Sequence, residues 1–154
     1  MRLFRLAQRQ YIADTNGTGG LYASGRWHEV GTRILYTSEH LSLAKLEVLA
    51  NSPVLPRNYA VLELEVPDDA SVQTVWPTEL PANWAALPYP QELALLTRRW
   101  IEEQRYWLMR VPSAHSPTEW NYLINPLHPE HATLRVIGIT PHDFDPRLKP
   151  GPKS

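Results

Sequence analysis

Residues 33–51 read RILYTSEHLSLAKLEVLAN and place a strand directly before a helix. The RILYT segment predicts a strand. Ser38 follows it and is predicted to cap a helix that reaches about Asn51, ahead of the helix-breaking Pro53. A strand that passes straight into a helix indicates a domain built from both α and β elements.

The flanking segments extend this mixed pattern. Residues 58–66 alternate between apolar and acidic side chains, which predicts a half-buried strand. A second helix is predicted from Pro90 to about Arg105, because its apolar residues recur at helical spacing. Further strands are predicted at residues 2–6, 72–75, 106–111 and 134–139, and residues 120–124 form a short apolar stretch. With no internal repeat and no linker, residues 1–154 predict a single α+β domain with a small mixed or antiparallel β core and a few helices.

Composition excludes several classes of protein. The chain has 154 residues, of which 43% are hydrophobic and 20% charged, as in ordinary globular domains. No apolar run approaches the roughly 18 residues that a membrane-spanning helix needs. The net charge of −1 argues against nucleic-acid binding, and the absence of cysteine excludes disulfides and thiolate metal ligands. These features predict a cytoplasmic protein.

Glu47 is the unusual residue of the first helix. Residues 41–50 are apolar almost all the way round, which predicts a buried helix. The neighbours of Glu47 on its own helix face carry no positive charge, and Lys45 points elsewhere. The pattern leaves two interpretations open. Glu47 lies on a thin exposed stripe, or it is a functional carboxylate held in a partly dry cleft.

A glycine-rich segment surrounds Arg26. Five of the seven glycines fall between residues 17 and 31, where they allow close approach of a ligand to the backbone. Arg26 could bind a phosphate or diphosphate there. The segment matches neither a dinucleotide-binding fingerprint nor a P-loop. Taken locally, it favours a tight hairpin with a surface arginine.

Two other motifs predict no catalytic centre when taken alone. His128 and His131 have a possible ligand spacing, but Pro129 lies between them and no carboxylate cluster accompanies them. Ser113 follows a predicted strand without the surrounding glycines of a hydrolase nucleophile, which favours a turn residue.

Taken together, these segments resemble the RES domain family, which is named for an arginine, a glutamate and a serine. The resemblance covers essentially the whole chain in the family's order. One departure is His28, where family members often carry asparagine. The matching motifs are Gly25-Arg26-Trp27-His28-x-x-Gly31, Leu35-Tyr36-Thr37-Ser38, Leu43-Ala44-x-Leu46-Glu47, Leu108-Met109-Arg110-Val111-Pro112-Ser113, Asn121-Tyr122-Leu123-Ile124-Asn125-Pro126-x-His128-Pro129 and Phe144-Asp145-Pro146-Arg147-Leu148.

The resemblance implies a toxin of a type II toxin–antitoxin pair, with a fold similar to ADP-ribosyltransferase toxins and with NAD as substrate. It implies hydrolysis or phosphorolysis of NAD, or transfer of ADP-ribose to a host protein, without a metal. The partner it implies is an antitoxin with an Xre-like DNA-binding region, in a complex that contains a toxin homodimer. The implied site residues are Arg26, Tyr36, Glu47 and Ser113.

The residue chemistry agrees with these roles. Glu47 can stabilise the oxocarbenium-like charge that develops when the nicotinamide–ribose bond breaks. Arg26 can hold a diphosphate or a ribose, Tyr36 can stack on nicotinamide, and Ser113 can hydrogen-bond nearby. Two alternatives remain: a non-catalytic interaction module in which Glu47 and Arg26 form an ion pair, and an RNA-cleaving toxin, which the near-neutral charge disfavours.

Overall fold

The computed structural model describes residues 1–150 and has an α+β fold, in which two α-helices pack on a mixed seven-stranded sheet. Every helix and strand predicted above is present, with shifted ends, and the apolar stretch at residues 120–124 forms a further strand. The helices are α1 (Leu41–Ala50) and α2 (Gln91–Glu103). The strands are β1 (Arg2–Gln8), β2 (Leu35–Ser38), β3 (Tyr59–Glu65), β4 (Val72–Thr74), β5 (Leu108–Pro112), β6 (Trp120–Ile124) and β7 (Arg135–His142).

The prediction that Ser38 caps the first helix is wrong. Ser38 is the last residue of β2, and His40 occupies the N-cap position of α1. The Ser38 hydroxyl donates a hydrogen bond to Oδ1 of Asn121 at 2.6 Å, on the neighbouring strand, and is therefore not available to the helix. Pairing across the sheet thus overrides the local capping preference of serine.

The sheet splits between β1 and β2. Its strand order is β4-β5-β6-β2-β1-β3-β7, and only β4 and β5 are parallel. β1 pairs with β3 along its whole length but meets β2 only at Phe4 and Ser38. Because the two strands separate beyond this pair, a cleft opens in the middle of the sheet.

The pairing register sets both helices on one face of the sheet. Val111, Asn121, Ser38 and Phe4 lie in one row across β5, β6, β2 and β1, so their side chains point to the same face. α2 packs on the β5–β6 end of this face, where Trp100 is buried with Met109, Val111 and Leu123. α1 packs on the β1–β3 end, with Leu6, Ala44 and Phe144. The cleft therefore lies between the two helices.

The prediction that the first helix is buried is wrong. Only Leu43 and Ala44 of α1 are buried, and Leu46 is 40% exposed. α1 contacts only β1 and β2 extensively, so its outer side remains open to solvent. α2, in contrast, buries the apolar stripe expected from its sequence. Neither helix, nor any other among residues 1–150, is long and apolar enough to cross a membrane.

Candidate active site

A cleft of about 600 Å³ occupies the split between β1 and β2. This volume lies in the range of small-molecule and cofactor sites. All the site residues expected from the sequence except Ser113 line it directly, and Ser113 contacts one of those that do. The polar lining side chains on which the chemistry depends are Arg5, Arg26, His28, Tyr36, Glu47, His115 and Asn121.

Glu47 presents an oriented carboxylate to this cleft. Its Oε1 accepts hydrogen bonds from the Ser113 hydroxyl at 2.6 Å and from Nδ2 of Asn121 at 2.7 Å. Its Oε2 accepts no hydrogen bond from residues 1–150 and lies 3.6 Å from Nε2 of His115. The side chain is 25% exposed. One carboxylate oxygen is therefore fixed by the protein, and the other is available to a ligand.

Ser113 serves both as a turn residue and as a partner of Glu47. It is fully buried directly after β5. Its Oγ accepts hydrogen bonds from the backbone N–H groups of His115 and Ser116, both at 3.1 Å. Since these bonds occupy the oxygen as an acceptor, the single hydroxyl hydrogen is directed to Glu47.

Asn121 and His115 belong to the site but were not predicted from the sequence. Oδ1 of Asn121 accepts the Ser38 hydroxyl, which orients Nδ2 of the same amide towards Glu47. A signal for Asn121 was present, since it shares a strand face with the fully buried Leu123. A polar residue on a buried face usually has a specific partner.

Tyr36 is held in place by His28. Its Oη lies 2.6 Å from Nδ1 of His28, and Nε2 of His28 lies 2.7 Å from the carbonyl oxygen of Ala23. Because a carbonyl can only accept, Nε2 carries the proton and Nδ1 accepts the Tyr36 hydroxyl. Burial raises the pKa of Tyr36, which keeps the phenol protonated.

Gly25 makes room for this contact. A Cβ atom at Gly25 would lie 2.8 Å from the Tyr36 hydroxyl oxygen and 3.3 Å from the His28 ring. The glycine-rich segment also forms a tight turn, in which Gly25 pairs with His28. The predicted hairpin is therefore present, and it lines the cleft.

Arg26 joins the glycine-rich turn to the loop before α2. Its Nη1 donates to the carbonyl oxygens of Trp84 at 2.9 Å and Ala86 at 3.0 Å. Its guanidinium lies 4.6 Å from the centre of the Tyr89 ring. Nε and Nη2 make no hydrogen bond within residues 1–150. No ion pair joins Arg26 to Glu47 there, so that part of the interaction-module alternative is wrong.

The histidines with possible ligand spacing contact separate partners. Nδ1 of His128 accepts the backbone N–H of Glu130, whereas Nδ1 of His131 accepts the indole N–H of Trp107. Among the described residues, one group of side chains has its possible ligand atoms close enough together to hold a metal ion. The group consists of Glu39, His40 and Glu119, none of which lines the cleft. Two of its members already accept protein hydrogen bonds, Glu39 from a backbone N–H and Glu119 from a hydroxyl.

Comparisons with known proteins define the class to which this fold and cleft belong. The model of the RES domain matches residues 2–146. The chain is 38% identical over 145 residues to the Prs ADP-ribosylating toxin of Sphingobium sp. (strain YBL2), covering 91% of this chain and 90% of that protein. It is 33% identical over 154 residues to Toxin Res of Yersinia enterocolitica, covering 97% of this chain and all of that toxin. The chain belongs to the RES domain family.

A solved structure shares the fold. A chain of the crystal structure of the M. tuberculosis MbcT–MbcA toxin–antitoxin complex superimposes with a TM-score of 0.73. The match covers 96% of this chain and 85% of that one, at 14% sequence identity.

The burial of His28 predicts an acid-sensitive fold. Burial lowers the pKa of His28 below its ordinary value of 6.5, so the unfolded chain takes up a proton more readily than the folded one. Stability that is present above pH 6.5 is therefore lost as the pH falls through the folded-state pKa. At pH 5.5 the loss in the free energy of unfolding that is due to this histidine is at most about 1.4 kcal/mol.

Urea unfolding at pH 7.5 and pH 5.5 measures this effect on the parent and on His28→Asn. Asparagine keeps an acceptor for Tyr36 but does not titrate, so the variant should lose less stability on acidification. His131 and His142 also have pKa values lowered by burial, but both are present in each protein and cancel in the comparison. Equal losses in the two proteins would show that His28 does not carry the acid sensitivity.

Proposed function

We propose that this chain is the toxin of a type II toxin–antitoxin system and that it cleaves the nicotinamide–ribose bond of NAD, which depletes the dinucleotide. The carboxylate of Glu47 carries this proposal, because two donors hold one of its oxygens while the other is available inside a cleft of cofactor size. Relatives over nearly the full chain that are named as toxins support the biological role.

The reaction needs a fixed negative charge beside the ribose. When the bond breaks, its electron pair leaves with neutral nicotinamide, and the ribose carbon becomes oxocarbenium-like. Oε2 of Glu47 can stabilise that charge or accept a ribose hydroxyl. An oxygen of water or phosphate then bonds to the same carbon, and its proton passes to Oε2 of Glu47 or to solvent. Ser113 and Asn121 keep the carboxylate in place, so little reorganisation is needed during the reaction.

Tyr36 and Arg26 bind the rest of the dinucleotide in this proposal. The Tyr36 ring, fixed by His28, offers a stacking surface for nicotinamide. Arg26 uses Nη1 to hold the loop at residues 84–89, and its remaining nitrogens can donate to a diphosphate or a ribose. This chemistry requires no metal.

A second candidate reaction is transfer of ADP-ribose to a host protein. It is favoured by the relative with 38% identity, which is named as an ADP-ribosylating toxin. In both reactions the nicotinamide–ribose bond breaks beside the Glu47 carboxylate, and only the acceptor of the ADP-ribose group differs. The acceptor is therefore a separate question from the role of Glu47.

Release of free nicotinamide from NAD tests the reaction. The purified parent should release nicotinamide, and Glu47→Gln should lower the rate about 10²- to 10³-fold, since it removes one charge contact made in the transition state. Glu103→Gln, an exposed carboxylate on α2, serves as the matched control and should behave as the parent. Near-parental release by a folded Glu47→Gln protein would reject the assignment.

The same assay identifies the acceptor. Release that does not depend on phosphate indicates hydrolysis, and release that requires phosphate indicates phosphorolysis. Release that needs a cell extract and labels a protein with ADP-ribose indicates the transferase.

We further propose an Xre-like antitoxin that covers the cleft of a toxin homodimer in the cytoplasm. Large apolar side chains are exposed in the aromatic-rich stretches 76–89 and 120–129: Trp76 is 52%, Leu87 76% and Leu127 63% exposed. Tyr89 is also exposed and lines the cleft, so a partner bound at this loop would block substrate entry. Trp84, in contrast, is buried in the protein's own core.

Expression of the chain with and without its neighbouring gene tests this partner. The chain alone should arrest growth and lower cellular NAD, and co-expression should restore both and yield a co-purifying complex. Unchanged growth and NAD with the chain alone, and no co-purifying product, would contradict the toxin assignment.

A further inference from the structure

His115 lies on the turn between β5 and β6, and its side chain lines the cleft. Its backbone N–H donates to Oγ of Ser113 at 3.1 Å, and the hydroxyl of the same serine donates to Oε1 of Glu47. The His115 side chain is 30% exposed, so the imidazole reaches both the cleft and solvent. One fully buried serine therefore holds the Glu47 carboxylate and the backbone of His115 in place together.

A ring nitrogen of His115 faces the available oxygen of Glu47. Nε2 lies 3.6 Å from Oε2, which is longer than a hydrogen bond. No hydrogen bond to the carboxylate therefore holds a proton on Nε2, and this nitrogen can accept one when the ring proton is on Nδ1. Because the two atoms are only 3.6 Å apart, the oxygen of one water molecule can lie at hydrogen-bond distance, roughly 2.6–3.2 Å, from both.

Four side chains of the cleft lining carry a carboxylate or an imidazole that can accept a proton: Asp14, His28, Glu47 and His115. The two oxygens of Asp14 accept backbone N–H groups of the loop that follows it. Both ring nitrogens of His28 are hydrogen-bonded to the protein. Within residues 1–150, the proton acceptors that remain free in the cleft are therefore Oε2 of Glu47 and the ring of His115.

The proposed reaction releases a proton at this place. When water attacks the ribose carbon, a C–O bond forms, an O–H bond breaks and one proton leaves the water oxygen. A proton that stayed on Oε2 of Glu47 would neutralise the charge on which bond breaking in the next turnover depends. Nε2 of His115 lies beside Oε2 and belongs to a side chain that reaches solvent, so it offers this proton a way out of the cleft.

We propose that His115 is the general base of the cleft, whose Nε2 accepts the proton of the attacking water and releases it to solvent. The inference rests on the proposed function for the identity of the reaction. The protonated ring faces the Glu47 carboxylate, which serves as its counter-ion at 3.6 Å. Glu47 thus supplies negative charge while the nicotinamide–ribose bond breaks, and His115 removes the proton while the new bond forms.

The ratio of two products tests this role. Azide ion attacks the same carbon as water but has no proton to lose, so NAD incubated with the protein and azide should yield both ADP-ribose and 1-azido-ADP-ribose. His115→Gln should shift the product ratio towards the azide adduct about 10²-fold, the lower end of what a general base contributes. A purely structural effect would slow the formation of both products alike and leave their ratio unchanged.

His40→Gln is the matched control, because His40 is an exposed histidine outside the cleft lining, and it should give the parental ratio. Imidazole added to His115→Ala should restore hydrolysis as its concentration rises. It should not do so in Glu47→Gln, which retains His115. Thermal unfolding confirms that each variant is folded, and His115→Asn replaces His115→Gln should the latter fail to fold.

The outcomes separate this inference from the proposed function. A parental product ratio in the folded His115→Gln protein would overturn the role of His115, while nicotinamide release by the parent would still uphold the proposed reaction. A parent that forms the azide adduct but no ADP-ribose, with or without azide, would also overturn the role, because no water would then be deprotonated. Absence of nicotinamide release with every acceptor would instead reject the proposed reaction, and the role of His115 with it.

Discussion

The two hydrogen bonds that Ser113 and Asn121 donate to Oε1 of Glu47 connect the separate parts of the site. They join Glu47 on α1 to Ser113, directly after β5, and to Asn121 on β6. These two residues lie 66 and 74 positions after Glu47 in the sequence. Both donors are themselves fixed, Ser113 by two backbone N–H groups and Asn121 by Ser38. The orientation of the carboxylate is thus determined by the sheet register, and a shift in register would misplace it.

The cleft exists because the sheet is incompletely paired. β1 and β2 share one residue pair, and the glycine-rich segment fills part of the space where they separate. Close backbone approach there depends on Gly17, whose backbone is left-handed and whose added Cβ would lie 2.5 Å from the backbone nitrogen of Ile34. The fold and the proposed site therefore depend on the same gap in the sheet.

Sequence patterns predicted the elements but only part of the site. Apolar and β-branched patterns located six of the seven strands, because they reflect which side of a strand is buried, whereas residues 120–124 were recognised only as an apolar stretch. The family motifs identified Arg26, Tyr36, Glu47 and Ser113 as candidate site residues. In the structure the first three line the cleft, and Ser113 contacts Glu47. Asn121 was missed, since its importance comes from contacts with residues distant in sequence. The capping role assigned to Ser38 was wrong for the same reason.

A double-mutant cycle between Glu47 and Asn121 tests the central claim most directly, with kcat for nicotinamide release as the readout. If Asn121 acts by holding the carboxylate, Asn121→Ala should lower kcat strongly in the parent and hardly at all in Glu47→Gln. If the double variant instead loses kcat by the product of the two single-variant reductions, the account is contradicted, because Asn121 would then contribute independently of Glu47.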